Sequence, residues 1–359
     1  LNRLRLNESM CALANETNFR GRFHRFCQLV LRRIGSMRGE IQVSDPMKKA
    51  KTSGSSAGPN PNQWDRLVGE GAPLARSLAE DMKRLESIGD AKFKVPTKTR
   101  IIAVANQKGG VGKTTSAVNL AAALASGGLR VLVIDDDPQG NASTALGAER
   151  NEDTLGLYNV LIREVSFFEI LQQSKKLPGL YIAPSSINLA LVDVELVEAP
   201  DRSTRLRETL YPALEELAEQ GERFDYVIID CPPSMSLLPI NALIAAHEVL
   251  IPVQTEYYAL EGLTQLLRTI EGARDGWNAG LRVSTILLTM ASKNTNLSAE
   301  VSENVRDFFP EETLSVEIPR SVRIAESPSY GETVITYAPR SSGAIAYLAA
   351  AHELADRAE

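Results

Sequence analysis

Between Ile101 and Thr115 the chain reads Ile-Ile-Ala-Val-Ala-Asn-Gln-Lys-Gly-Gly-Val-Gly-Lys-Thr-Thr, an order that leaves few folds open. Ile101 to Ala105 is a short, unbroken apolar run of the kind that forms a buried strand. A glycine-rich turn follows, and then alanine-rich sequence that predicts a helix from about Lys113 to Ser126. Strand, glycine turn, Lys-Thr and helix is the order of a phosphate-binding loop. Gly109, Gly110 and Gly112 allow backbone N–H groups to turn inward around an anion. The start of the helix adds free N–H donors and the positive end of its dipole. Lys113 is placed to reach the β- and γ-phosphates, and the Thr114 hydroxyl to ligate Mg²⁺. Gly109, Gly110, Val111, Gly112, Lys113, Thr114 and Thr115 are therefore the candidate nucleotide-binding residues.

The match to Gly-x-x-x-x-Gly-Lys-Thr is incomplete. Gln107 stands at the first glycine position, with a second lysine, Lys108, beside it. Lys-Gly-Gly-Val-Gly-Lys-Thr-Thr resembles the variant loop of the ParA/MinD ATPases. In that family the early lysine reaches across a dimer to the partner's nucleotide. Taken alone, Lys108 reads as a solvated loop lysine; within this octapeptide the resemblance gives it a catalytic role.

The remainder of the chain is built like a globular protein. Of 359 residues, 43% are hydrophobic and 23% charged, enough for one large core. Net charge is -6, so affinity for nucleic acid has to come from a local patch. Cys11, Cys27 and Cys231 have no metal-ligand or disulfide spacing, which fits a reducing cytoplasm. No apolar run reaches the ~18 residues of a membrane span, and no convincing leader peptide is visible.

Three segments are expected. Residues 1–60 hold eleven Lys and Arg against four Asp and Glu, a net charge of +7 that leaves -13 for the remainder. Phe23 to Arg33 has the spacing of a basic amphipathic helix that could touch DNA or acidic lipid. The plainer expectation is a disordered arm, or sequence upstream of the working start, since the chain opens on Leu1 with Met37 and Met47 downstream. Residues 61–98 read as a linker with one amphipathic helix, Leu74, Leu78, Met82 and Leu85 sharing a face. A single helix is too little for a helix-turn-helix DNA reader. From residue 99 to 359, apolar runs alternate with helical stretches. The candidate strands are Ile101–Ala105, Val131–Asp135, Tyr181–Ala183, Tyr226–Asp230, Val249–Val253, Val283–Leu288 and Ser315–Ile318. Near-continuous hydrophobicity of this kind predicts a doubly wound, mostly parallel α/β sheet with helices on both faces, the fold of a P-loop NTPase. A largely irregular N-terminal extension precedes it.

In such a sheet, ligands lie beyond the C-terminal ends of the strands. Val131 to Asp135 runs straight into Asp136 and Asp137, and Tyr226 to Asp230 ends on a carboxylate followed by Cys-Pro-Pro-Ser. The second is a Walker B arrangement, placing Asp230 near the Mg²⁺ shell. Asp230 could otherwise be a turn or cap residue, but it follows the loop in the right order. Phosphoryl transfer to water is mostly positioning and charge neutralisation, a task for a carboxylate on the γ-phosphate side.

The stretch Arg100 to Ala355 resembles the ParA/Soj-type chromosome-partitioning ATPases. The resemblance rests on Asn106–Thr115, Asp135–Asn141, Asp230–Ser234, Pro252–Leu267 and Ile318–Gly331. It implies that Asp137 is the hydrolysis residue, with Asp135 supporting the metal site, and that Pro319 lies near the adenine. Asp136, often apolar in relatives, receives no role. It implies further that Lys108 and Lys113 are catalytic and that ATP with Mg²⁺ is sandwiched in a homodimer. That dimer is expected to bind double-stranded DNA nonspecifically. A ParB-like centromere-binding protein would stimulate an ATPase that is weak alone. The implied location is the cytoplasm, on the nucleoid, with no membrane partner.

The resemblance also implies that Arg320 and Arg323, of the Pro-Arg-Ser-Val-Arg stretch, are the candidate DNA contacts, with Arg306 and Lys293 as additions. Each could instead be a solvated surface charge. The loop Met290 to Ser298 departs from many relatives. The alternative is a MinD-like membrane-associated ATPase, which would carry a basic amphipathic C-terminal helix. The tail Gly343 to Glu359 is alanine-rich and ends acidic. An iron–sulfur carrier would need more cysteines than Cys231 in the core. A related tyrosine kinase would be expected to show a tyrosine-rich tail, which this chain lacks.

Overall fold

The computed structural model describes residues 19, 21–23, 25–26, 28 and 92–358, apart from 152, 235, 257–258 and 293–295. The linker helix expected near residues 72–90 and Lys293 lie outside the described residues. The order of elements is β1 (Arg100–Val104), α1 (Lys113–Ser126), β2 (Val131–Asp135), α2 (Asn141–Ala145) and α3 (Leu157–Leu161). Then come β3 (Gln172–Gln173), β4 (Leu180–Ala183), α4 (Val192–Glu195), α5 (Arg205–Glu219), β5 (Tyr226–Asp230) and α6 (Leu237–Ala245). The chain continues through β6 (Glu248–Gln254), α7 (Ala259–Gly276), β7 (Arg282–Thr289) and α8 (Asn296–Phe308). It closes with α9 (Val322–Glu326), α10 (Val334–Tyr337) and α11 (Ser342–Asp356).

The seven strands form one sheet in the order β3-β4-β2-β5-β1-β6-β7, parallel except for β3 against β4. The period of two along each strand divides the core. Ile101 and Ala103 of β1, with Leu132, Val227 and Val249 of its neighbours, face α5, α6 and α7. Ile102 and Val104 face the other way, onto the alanines of α1 and α11. Both faces are covered, which is why the strands carry no polar alternation. Small residues let α1 approach the sheet closely, and Ala117, Leu120, Ala121 and Leu124 are wholly buried there. The alanine-rich C-terminal helix α11 is likewise core: Ala344, Tyr347, Ala350, Ala351 and Leu354 are buried against α1 and its surroundings.

One expectation is corrected. Ser315–Ile318 is not a strand. The chain there runs beside β7, with Leu314 N–H donating to Ile286 O at 2.9 Å and Ile318 N–H to Leu288 O at 2.9 Å. Only isolated bridges result, Ile286 with Thr313 and Ala291 with Pro319. Side chains take the remaining polar groups: the Glu353 carboxylate accepts from Ser315 N–H, and Arg306 donates to the carbonyls of Leu314 and Ser315. The structure also describes part of the basic N-terminal segment, where the spacing of Phe23 to Arg33 allows an amphipathic helix. Its described residues between 19 and 28 are helical, and Phe23 and Phe26 are buried in the domain core.

Across the bottom of the sheet, Arg100 and Glu248 join β1 to β6 through two hydrogen bonds of 2.8 and 2.7 Å, both side chains being almost fully buried. Arg100 also donates to Leu354 O at 2.8 Å, tying in α11. Burial opposes the charge of Glu248, but Arg100 overrides it and holds the carboxyl below its ordinary range. Removing one partner of such a pair leaves the other uncompensated. Glu248→Ala is expected to lower unfolding stability by about 3–5 kcal/mol in denaturant titration. Because the folded pKa is depressed, the wild-type contribution is complete above the unfolded glutamate value, ~4.3, and is lost as pH falls through the folded one. The difference between the two proteins should therefore shrink at acid pH.

Candidate nucleotide-binding site

The parallel register assembles the site. Val104 at the end of β1 stands beside Asp230 at the end of β5, and Asp230 beside Asp135 at the end of β2. The glycine loop therefore leaves its strand next to both acidic strand ends. Gly110 and Gly112 have φ of 75° and 90°, in the left-handed region where side chains are strained. Gly112 directly precedes α1, whose start has no side-chain cap hydrogen bond, so the loop can curl into the helix N-terminus.

The loop is held on two sides. The Asn106 amide donates to Pro252 O at 2.8 Å, while its carbonyl oxygen accepts from Lys108 N–H at 3.0 Å. The Thr289 hydroxyl, at the end of β7, donates to Val111 O at 2.8 Å. Lys113 is only 7% exposed, and its ammonium donates to Lys108 O at 3.4 Å. Burial lowers its pKa, and Asp230 and Asp137 oppose that shift. Asp230 is fully buried with no hydrogen-bond partner on either carboxylate oxygen. Burial and Asp135 push its pKa well up, while the nearby Thr114 hydroxyl and Lys113 favour the charged form. A buried carboxylate with two idle oxygens, next to a hydroxyl and an ammonium, has the donor set that Mg²⁺ on a nucleotide requires. Among the described residues there is no preformed cluster of three or more metal-ligating side chains. A metal that keeps phosphate and water ligands needs only one or two from protein.

Asp135, the last residue of β2, and Asp137 beyond it do different things. Asp135 spends its carboxylate on α2: Ser143 N–H and Oγ–H donate to Oδ2 at 2.7 and 2.6 Å, and Asp137 N–H to Oδ1 at 3.3 Å. Burial raises its pKa to about 6 despite those bonds. In this arrangement Asp135 anchors the turn, and its oxygens do not face a metal position unengaged. Asp137, 8% exposed, accepts from Gln139 N–H at 2.9 Å, and its own carbonyl accepts from the Ser185 hydroxyl at 2.7 Å. Lys113 lies within electrostatic reach of both Asp230 and Asp137. Asp136, which the sequence left without a role, is wholly buried with both oxygens unpartnered.

Lys108 lies at the rim, with Nζ 3.5 Å from Glu256 Oε2. Arg320 reaches the other oxygen of the same carboxylate at 3.7 Å, and the Gln254 amide donates to it at 2.5 Å. Glu256 was not singled out in the sequence; nothing local in Gln-Thr-Glu signals that this acid meets the loop lysine. Arg320 and Arg323 are mostly exposed, and Arg323 pairs with Glu326 at 3.1 Å. Pro319 bridges Ala291, two residues beyond β7, at the same end of the sheet as the loop. Arg306 is instead occupied by Glu317 and two carbonyls.

A parallel sheet that feeds a glycine-lined turn, a buried lysine and an unpartnered strand-end aspartate defines a P-loop nucleotide-binding protein. A family model described as an AAA domain matches residues 99–283. The chain is 45% identical over 258 residues to the chromosome partitioning protein ParA of Caulobacter vibrioides strain NA1000 / CB15N, covering 72% of this chain and 94% of that protein. It is 46% identical over 256 residues to the sporulation initiation inhibitor protein Soj of Bacillus subtilis strain 168, covering 71% and 98%. Among solved structures, cobyrinic acid a,c-diamide synthase from Mycobacterium smegmatis with bound ADP and magnesium superposes with a TM-score of 0.59 at 35% identity, over 72% of this chain and 93% of that one. The chain belongs to the ParA/Soj family of chromosome-partitioning ATPases.

Asp136 supplies a test of the site's electrostatics. Burial, then Asp135, Asp137, Asp230 and Asp193, push its pKa well up. A folded pKa above the unfolded value of ~3.9 makes the native state the stronger proton binder, so this group costs stability as pH rises from acid toward neutrality. Asp136→Asn should flatten that fall, read from unfolding curves at a series of pH values.

Proposed function

We propose that this protein is an ATP- and Mg²⁺-dependent partitioning ATPase that works as a nucleotide-sandwich dimer on DNA. The observation that carries the reading is the convergence of buried Lys113, idle Asp230 and Asp137 under a left-handed glycine turn. In this reading the loop N–H groups and Lys113 hold the β- and γ-phosphates, while Thr114 and Asp230 hold the metal. The bound Mg²⁺ supplies positive charge to the phosphate oxygens. Asp135 fixes the turn, and Asp137 orients the attacking water. Pro319 borders the base. Lys108 leaves Glu256 to reach the nucleotide of a second subunit. An apolar stripe next to the site, with Ile187 69% and Val194 70% exposed, supports pairing with another chain.

Arg320 and Arg323 would then present charge to phosphates regardless of sequence. A ParB-like protein would accelerate a slow hydrolysis and release the dimer from the nucleoid, in the cytoplasm. The apolar face of α11 is packed in the core, so this helix does not present the face that a membrane-surface helix needs. No helix among the described residues is long and apolar enough to cross a membrane.

The central experiment compares two variants by ATP binding and turnover. Lys113→Ala is expected to weaken ATP binding by about a hundredfold or more, as loss of a charged hydrogen bond at a buried site. Asp137→Ala should bind ATP and accumulate as a dimer while turnover falls by about a hundredfold or more. Unchanged turnover in Asp137→Ala with DNA and a ParB-like partner would remove its assigned role. For the DNA surface, Arg320→Glu with Arg323→Glu should weaken binding to all duplexes alike. The slope of log affinity against log salt should fall by about 0.9 per lost phosphate contact.

A further inference from the structure

The N-terminal stretch between residues 19 and 28 lies outside the matched family domain, which begins at residue 99, yet it is joined to that domain by specific contacts. Phe19, Phe23 and Phe26 recur at helical spacing, with Arg22 on the same side. Phe23 is 6% exposed and Phe26 is fully buried. The Phe26 ring meets Phe308 and Phe309 edge-on, with centroids 5.2 and 5.3 Å away, and Phe19 meets Phe309 at 5.7 Å. Beside the rings, an Arg22 guanidinium nitrogen lies 2.6 Å from Glu312 Oε1 and 3.8 Å from Glu311. Gly21, Arg25 and Gln28 face solvent.

We propose that this aromatic-basic helix is a docking element of the chain for its own ATPase domain, seated in cis on the surface formed by Phe308, Phe309 and the Glu311–Glu312 corner. Apolar packing supplies the contact and one buried ion pair sets its register. Charge favours the same occupant, since the first 60 residues carry +7 and the rest of the chain -13. The surface lies where the chain leaves α8 to run beside β7: Glu312 O accepts from Ile286 N–H at 2.8 Å and from Arg357 at 2.9 Å. That position lies on β7 before its end at Thr289, the residue whose hydroxyl holds the glycine loop. The docked helix therefore braces the β7 edge of the sheet.

Hydrogen exchange on the full chain without nucleotide tests this, and its readout is independent of the ATPase reading. The amides of residues 19–28 and 308–312 should be protected together, to the same extent across a hundredfold dilution (on the order of micromolar to tens of nanomolar). Phe26→Ala should speed exchange in both segments by about tenfold or more and lower the melting temperature. Arg22→Glu should do the same more mildly, and Arg22→Glu combined with Glu312→Arg should restore protection. Unchanged exchange at residues 308–312 in both single variants would overturn the docking. Protection lost on dilution would overturn the cis arrangement, because the helix would then come from a second copy.

Discussion

The site depends on placing like charges side by side at the end of a parallel sheet and setting one lysine among them. Adjacent parallel strands end level, so the register that aligns Val104, Asp230 and Asp135 leaves those two carboxylates no choice but proximity. In a buried setting such acids resist ionisation together. Lys113 offsets part of that cost, and a bound divalent cation would offset more. Buried carboxylates that a single lysine only partly offsets are the physical basis for expecting this site to favour a metal-bound polyphosphate.

The surrounding structure holds this arrangement from both faces. Alanine-packed α1 lies close to the sheet and carries Lys113 in its first turn, while α11 backs it and reaches Arg100. Asn106, bonded to Pro252 of β6, and Thr289 at the end of β7 fix the loop. Glu256 links the loop lysine to Arg320, so the nucleotide rim and the exposed arginine surface share one carboxylate. These pairs are partly exposed, so each contributes little to stability. Their value is geometric, because a change at one partner leaves the other free to move.

Much of this was legible in the residues. The runs Val131–Asp135 and Tyr226–Asp230 became strands with those bounds, and α1 began at Lys113 and ended at Ser126. Continuous apolar runs ending in aspartate have few alternatives. Ser315–Ile318 carries alternating buried residues but forms no strand, since the Arg306 and Glu353 side chains occupy its backbone groups. Those competitors lie 9 and 38 residues away from Ser315, beyond any local pattern. The two-residue strand β3 is too short to leave a periodic signal.

The sequence by itself determined the loop, the strands that feed it and the acids at their ends, because period, glycine content and order are local properties. Tertiary structure decided which acid is engaged and which is idle. Asp135 and Asp230 occupy equivalent strand ends, but only Asp135 meets Ser143, and only Asp230 retains unpartnered oxygens. It also decided that Glu256 faces Lys108 and that Phe23 and Phe26 belong to the core. Partners far apart along the chain leave no trace in local pattern, and only the folded geometry brings their charges and rings within reach.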